Sequence, residues 1–290
     1  MTVKGTVPKV RKAEPAPESR PFWKGLDPWW LLFLGVVILA LWLIQAKPDP
    51  YRRIFVFLVR RGEDRLKWSG LEVTIGITGV SFFFIMLVGL IGGLGRISKN
   101  PLLKGIASIY VEIIRGIPML VQLMFIYYAS PIVIREIGLR LAGVWPALSA
   151  KLVGIKIDPF VAAVLGLTIC YGAYMSEIFR AGIESIAKGQ MEAARSLGMS
   201  YFQAMRHVIL PQAVRVILPP VGNEFVALLK DSSLVSVVAV ADMTRRGREF
   251  MASTFLALET WLMVALLYLV MTLFLSRVVS YIEERTSYVR

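Results

Sequence analysis

Glu224 and Asp231 are the two acidic side chains in an apolar stretch running from Val214 to Val240. Asn223, Lys230 and Ser232 accompany them. The two acids are seven residues apart, two helical turns, so a helix puts them on one face. Ionisable groups in a membrane-length run mark a candidate solute pathway. An internal salt bridge between helices accounts for them equally well. Two further pairs, Glu112 with Arg115 and Glu177 with Arg180, are spaced three apart and suit local ion pairs. No catalytic set emerges. His207 and Cys170 are the single histidine and the single cysteine, which is too few for a metal centre. The phosphate-cradling pattern GxxxxGK[ST] does not occur.

These side chains need apolar elements to position them. Hydrophobic residues make up 56% of the 290 and charged ones only 18%, with a mean hydropathy of +0.64. Soluble domains carry about 25% charged residues, so the surplus belongs in lipid. Disordered chains, disulfide scaffolds and most soluble enzymes are excluded. Six runs are long enough to span a bilayer: Trp29–Ala46, Leu71–Gly95, Ile117–Ile134, Pro159–Ser176, Val214–Val240 and Phe255–Ser280. Pro219, Pro220 and Gly222 are expected to break the fifth. The reading is an all-α polytopic bundle. Residues 1–28, polar and Pro-rich, read as a disordered tail, 29–46 as a retained first span rather than a signal peptide, and 47–70 as a linker. Pro101–Ile114 carries Leu102, Leu103, Ile106, Ile109, Tyr110 and Ile113 as one stripe, an amphipathic lead-in helix. The net charge of +13 is scattered between the runs. With the N-terminus inside, 17 basic residues fall inside and 14 outside, a weak bias of the right sign.

The segment 189–211, GQMEAARSLGMSYFQAMRHVILP, is polar and lies between two spans. It reads as a helix ending at Gly198, in the left-handed conformation glycine favours. A second helix starts at Ser200 with Gln203 three residues on, a capping box. Pro211 is expected to stop it near Leu210. A DNA-binding helix-turn-helix has a similar outline. Placement between two spans argues instead for an elbow that enters a groove on a soluble partner.

This elbow resembles the EAA loop of ABC-transporter permeases. Glu192-Ala193-Ala194, Gly198 and Leu210-Pro211 stand at the spacing of that loop, with Gly189 before them and Val208 where isoleucine is usual. Three other segments resemble the polar amino acid permeases within that group. They are Tyr110–Pro118 (YVEIIRGIP), Ala173–Ile183 (AYMSEIFRAGI) and Lys230–Leu234 (KDSSL). The likeness covers roughly residues 70–290.

The resemblance implies a five-span type I importer core over 71–290, with an extra N-terminal helix. It implies a cytoplasmic elbow acting as the coupling helix, and so a multi-pass inner-membrane protein with both termini cytoplasmic. It also implies partners: a separate ATPase dimer holding ATP and magnesium, a second identical or homologous permease, and an extracytoplasmic substrate-binding protein. This chain would bind no cofactor and hydrolyse nothing. The face carrying Glu224 and Asp231 would meet the ammonium or side chain of an amino acid. An ion-coupled secondary transporter is the alternative, but it leaves the elbow unexplained and usually needs internal repeats, which are not seen here.

Overall fold

The computed structural model describes residues 28–46, 48–60 and 68–286. Most of the tail at 1–28 and part of the linker at 47–70 lie outside the described residues. Every described element is helical. In chain order they are α1 Pro28–Ala46, α2 Pro48–Val59, α3 Gly70–Ile97, α4 Pro101–Gly116, α5 Met119–Leu141, α6 Pro146–Val153, α7 Pro159–Glu184, α8 Lys188–Ser196, α9 Tyr201–Ala204, α10 Leu210–Asp231, α11 Met243–Thr254 and α12 Ala257–Thr286.

Local sequence starts several of these helices. Ser69 accepts from the Glu72 N–H at 3.1 Å while Glu72 accepts from the Ser69 N–H at 2.9 Å, a reciprocal cap on α3. Asn100, Asp158 and Asp242 cap α4, α7 and α11 with their side-chain oxygens. Pro101 and Pro159 occupy first-turn positions where a missing N–H costs nothing.

Among the described residues five helices are long and apolar enough to cross a membrane: α1, α3, α5, α7 and α12. The expected fifth of six spans is α10, 22 residues long and more polar, packed between α7 and α12. Its prolines do not break it. The helix runs through Pro219 and Pro220 to Asp231, then tightens into a 3-10 turn over Ser232–Val238. Flanking α7 and α12 hold the segment where the prolines remove backbone bonds. Gly222 serves packing instead: a Cβ there would lie 2.5 Å from Val279 Cγ1 on α12.

Two other boundaries move. The third span continues to Leu141, past Ile134, by way of a π-turn at Phe125–Ala129. The linker holds α2, whose Tyr51, Ile54 and Leu58 are buried against α11 and α12.

The densest packing in the bundle joins α3 to α7. Glycines make it possible. A Cβ on Gly89, Gly92 or Gly93 would fall within 3 Å of Met175, Ser176 or Phe179 respectively. In lipid, where apolar surface gains nothing by leaving its solvent, such close backbone approach supplies the packing energy. The main core gathers Ile77, Ile85, Leu167, Met175, Ile217 and Leu228 between α3, α7 and α10. Outside it, α1 packs on α12 through Val36, Leu266 and Leu273.

Candidate functional site

The elbow forms as its residues dictate. Gly198 adopts φ +84°, the left-handed cap of α8. Met199 N–H reaches back to the Ala194 carbonyl at 3.2 Å, closing a Schellman-type turn. Ser200 and Gln203 then cap each other, at 3.2 Å from the Gln203 N–H and 2.8 Å from the Ser200 N–H.

Pro211 does not end the second helix. A π-turn at Met205–Ile209 widens the backbone just before it, and Leu210 N–H bonds to the Met205 carbonyl five residues back. The wide turn gives the proline ring room that a regular turn denies it. Short α9, the π-turn and α10 therefore form one continuous rod from Tyr201 to Asp231.

Glu192, Ala193 and Gly189 are exposed. Ala194 is not; it is buried inside the elbow, so its small size serves internal packing rather than close approach by a partner. Leu210 and Pro211 sit at the root of α10, both exposed. Sequence reasoning missed the apolar patch beside them: Leu197 is 82% exposed, Phe202 72% and Tyr201 55%. Large side chains so bare beyond the bundle mark an interaction surface. The signal was present as an apolar residue next to the turn glycine and an aromatic pair in the following cap.

Behind the elbow, an ionic cluster ties α3 to α7. Glu177 pairs with Arg180 as its spacing suggested, with Arg180 Nε 3.1 Å from Glu177 Oε2. The cluster is larger than the sequence indicated: Arg96 of α3 also bonds Glu177, and Arg180 also bonds Glu184.

The other expected pair does not form. Glu112 is exposed and joins no ion pair among the described residues. Arg115 lies instead over the ring of Tyr174, 5.2 Å from its centroid. The helix spacing permits the pair, but the aromatic face brought up by α7 is the better partner.

On α10 the structure sorts the five candidate residues. Asp231 accepts a 2.7 Å hydrogen bond from the Tyr171 hydroxyl of α7. Glu224 is half-buried and within electrostatic reach of both Arg115 and Asp231. Together with Tyr174, these side chains make one polar face across α4, α7 and α10. Ser232 does not join it; it is fully buried and donates to the Leu229 carbonyl at 2.7 Å. Asn223 and Lys230 are exposed, each one position before its acid and so turned away from that face. Among the described residues no salt bridge links Glu224, Lys230 or Asp231 to another helix. Tyr171 was not singled out from sequence, because tyrosine in an apolar run reads as packing, and Tyr174 entered only as a position of the Ala173–Ile183 segment, with no role attached. No group of three or more metal-ligating side chains occurs among the described residues.

The sequence matches the family described as binding-protein-dependent transport system inner membrane component over residues 85–288. The chain belongs to this family. Elbow, ionic cluster and polar face all lie within the matched residues; α1 and α2 precede them. The chain is 38% identical to the glutamine transport system permease protein GlnP of Escherichia coli (strain K12) over 217 residues, 75% of this chain and 91% of that protein. It is 39% identical to the L-cystine transport system permease protein TcyB of Bacillus subtilis (strain 168), over 75% of this chain and 85% of the relative. Among solved structures, an amino acid ABC transporter crystallised with histidines aligns with a TM-score of 0.64 at 40% identity, covering 74% of this chain and 92% of that one. The MetNI methionine ABC transporter, at 19% identity, shares the fold with a TM-score of 0.58.

Proposed function

We propose that this inner membrane component is the permease subunit of an ATP-driven importer for polar amino acids. The observation that carries the reading is the elbow. It is a rigid helix–Gly–helix unit held beyond the bundle, with Ala193, Leu197, Tyr201 and Phe202 bare on its surface. An elbow of this kind fits a cleft in a soluble ATPase, and the fused rod to α10 gives it a lever into the bundle. ATP and magnesium belong to that partner, two copies per complex; this chain holds no cofactor. A second permease, identical or homologous, completes the pathway, and a soluble binding protein delivers the solute.

The polar face supplies the recognition chemistry. Glu224 and Asp231 suit an ammonium group, the Arg115 guanidinium suits a carboxylate, and the Tyr174 ring offers a flat wall. The names of the relatives, glutamine and cystine transport proteins, support amino acids as the solute class. In this reading the elbow and both chain termini are cytoplasmic, and the α2–α11 end of the bundle is extracytoplasmic. An ion-coupled carrier would leave the elbow without a task.

The test is a mild-detergent pull-down of the tagged chain, expressed with its ATPase and binding protein. A copurifying ATPase whose hydrolysis rises with loaded binding protein is the expected result. Glu192→Lys should release the ATPase and stop uptake while leaving membrane insertion intact. A chain that purifies alone and transports without ATP would overturn the reading.

A further inference from the structure

Helix α2 precedes the family match, which begins at residue 85. Its apolar side is committed to the bundle: Tyr51, Ile54 and Leu58 are buried with Met243, Phe250 and Met263. Phe57 packs on Phe250 at 5.4 Å and lies under the Arg246 guanidinium at 5.7 Å. The opposite side shows Arg52, Arg53, Val56 and, just past the helix end, Arg60, all exposed. These positions fall on one arc of a helix. The three arginine side chains form no ion pair or hydrogen bond among the described residues. The neighbouring arginines of α11 are already engaged. Arg245 pairs with Glu249 at 3.0 Å, Arg248 bonds Ser236 at 3.2 Å and Arg246 reaches the Trp68 carbonyl at 3.4 Å. Of the arginines on α2 and α11, those left free among the described residues are thus on α2. Arg135, Lys151 and Lys156, near the α5–α6 end on the same side in the proposed orientation, are also exposed and in no ion pair among the described residues.

Charge of this sign is out of place there. Lysine and arginine near span ends are favoured on the cytoplasmic side, whereas this end is extracytoplasmic in the proposed orientation. An anionic lipid surface is poorly served, because an interfacial helix needs a free apolar side and α2 has spent its own on protein contacts. An acidic protein surface is well served, since exposed guanidinium forks pair with carboxylates without burial. We infer that Arg52, Arg53 and Arg60 dock an acidic patch on the soluble binding protein on which this family's transport depends. The inference rests on the orientation and partnership proposed above. Helix α2 is then an electrostatic landing strip that speeds and orders encounter.

The importer complex in nanodiscs of neutral lipid, with the binding protein that stimulates its ATPase as probe, provides the test. The triple reversal R52E/R53E/R60E should weaken binding about tenfold or more and flatten its dependence on salt. Replacement of all three by lysine should restore most of the affinity. Should the reversal variant fail to insert, R52Q/R53Q carries the test, with a smaller loss of affinity and a shallower salt slope. An unchanged dissociation constant and salt slope in folded variants overturns the docking. So does a loss seen only in nanodiscs containing phosphatidylglycerol, which assigns the arginines to lipid. A wild-type complex that no binding protein stimulates overturns the proposed function itself, and the docking with it.

Discussion

Gly93→Ala places one methyl group in the seam between α3 and α7, and its consequence follows from three distances. The new Cβ would lie 2.7 Å from Phe179 Cβ, 3.0 Å from the Ser176 carbonyl oxygen and 3.3 Å from the Arg180 backbone nitrogen. None of these is the flexible end of a side chain, so one helix must move. Overpacking of this kind costs about 1–3 kcal/mol. Gly79→Ala, earlier on the same helix, is the control, for a Cβ there meets nothing within 4 Å. Both changes gain similar helix propensity, about 1 kcal/mol, so that contribution cancels in the difference. Thermal unfolding of the purified complex should separate the variants by roughly 2–12 °C, at about 2–4 °C per kcal/mol, the value typical of domains of about 150–250 residues. Gly79→Ala should equal or exceed the wild type and Gly93→Ala fall below Gly79→Ala. The displaced turn lies one step from Arg96 and Glu177, so the ionic cluster should loosen as well. Equal midpoints for the two variants would refute the argument that glycine contact sets the α3–α7 distance.

Burial pushes the Asp242 carboxyl from 3.8 up to about 6, against the lowering pull of the Thr244 and Arg245 N–H groups. The folded state then holds its proton more tightly, so the contribution of this group to stability is greatest below pH 4. It falls by roughly 3 kcal/mol as pH rises towards 6 and is flat above that. Asp242→Asn keeps the cap and should unfold at a higher temperature than wild type at pH 8 but not at pH 4; a pH-independent difference would exclude the buried charge as the cause. Gly198→Ala meets no atom within 4 Å, so its cost is the left-handed backbone alone, about 1 kcal/mol. ATPase retained on pull-down should drop severalfold, and undiminished retention would show that the turn is not needed for docking. Tyr171→Phe removes the 2.7 Å bond to Asp231. Loss of this hydrogen bond, about 0.5–1.5 kcal/mol, should shift the solute concentration for half-maximal uptake severalfold; unaltered uptake would separate Asp231 from the pathway.

What could be read in the sequence was whatever depends on neighbours along the chain. Apolar runs gave the spans, Gly198 gave the left-handed turn, and Ser200 with Gln203 gave the cap, all local devices with local energies. What failed depended on neighbours in space. Arg115 finds Tyr174 rather than Glu112, and Asp231 finds Tyr171, sixty residues away. The linker conceals α2, because a 12-residue helix carrying Arg52, Arg53 and Asp49 is recognisable only once α11 and α12 cover its apolar side. Proline was misjudged for the same reason. The cost of Pro211 or Pro219 depends on whether the preceding turn can widen or a packed neighbour holds the rod straight.

The two π-turns bear on how force travels. Each stands immediately before an X-Pro step, Ser130-Pro131 in α5 and Leu210-Pro211 at the root of α10. In both, an amide bonds five residues back where a regular turn would clash with the ring. A helix that ended at Pro211 would leave the elbow on a hinge, and displacement of the elbow would be absorbed there. The continuous rod from Tyr201 to Asp231 instead joins the exposed Phe202 to the Asp231–Tyr171 contact at the far end of α10. Displacement of the elbow must then tilt or translate the helix that carries Glu224 and Asp231 past Tyr171 and Tyr174. Helix α10 meets α7 through Ile217 on Gly182, where a glycine Cβ position lies 2.2 Å from Ile217 Cγ1, so the two helices are closely packed there. Sequence thus turns an apparent helix breaker into the splice that joins the elbow and the polar face in one continuous helix.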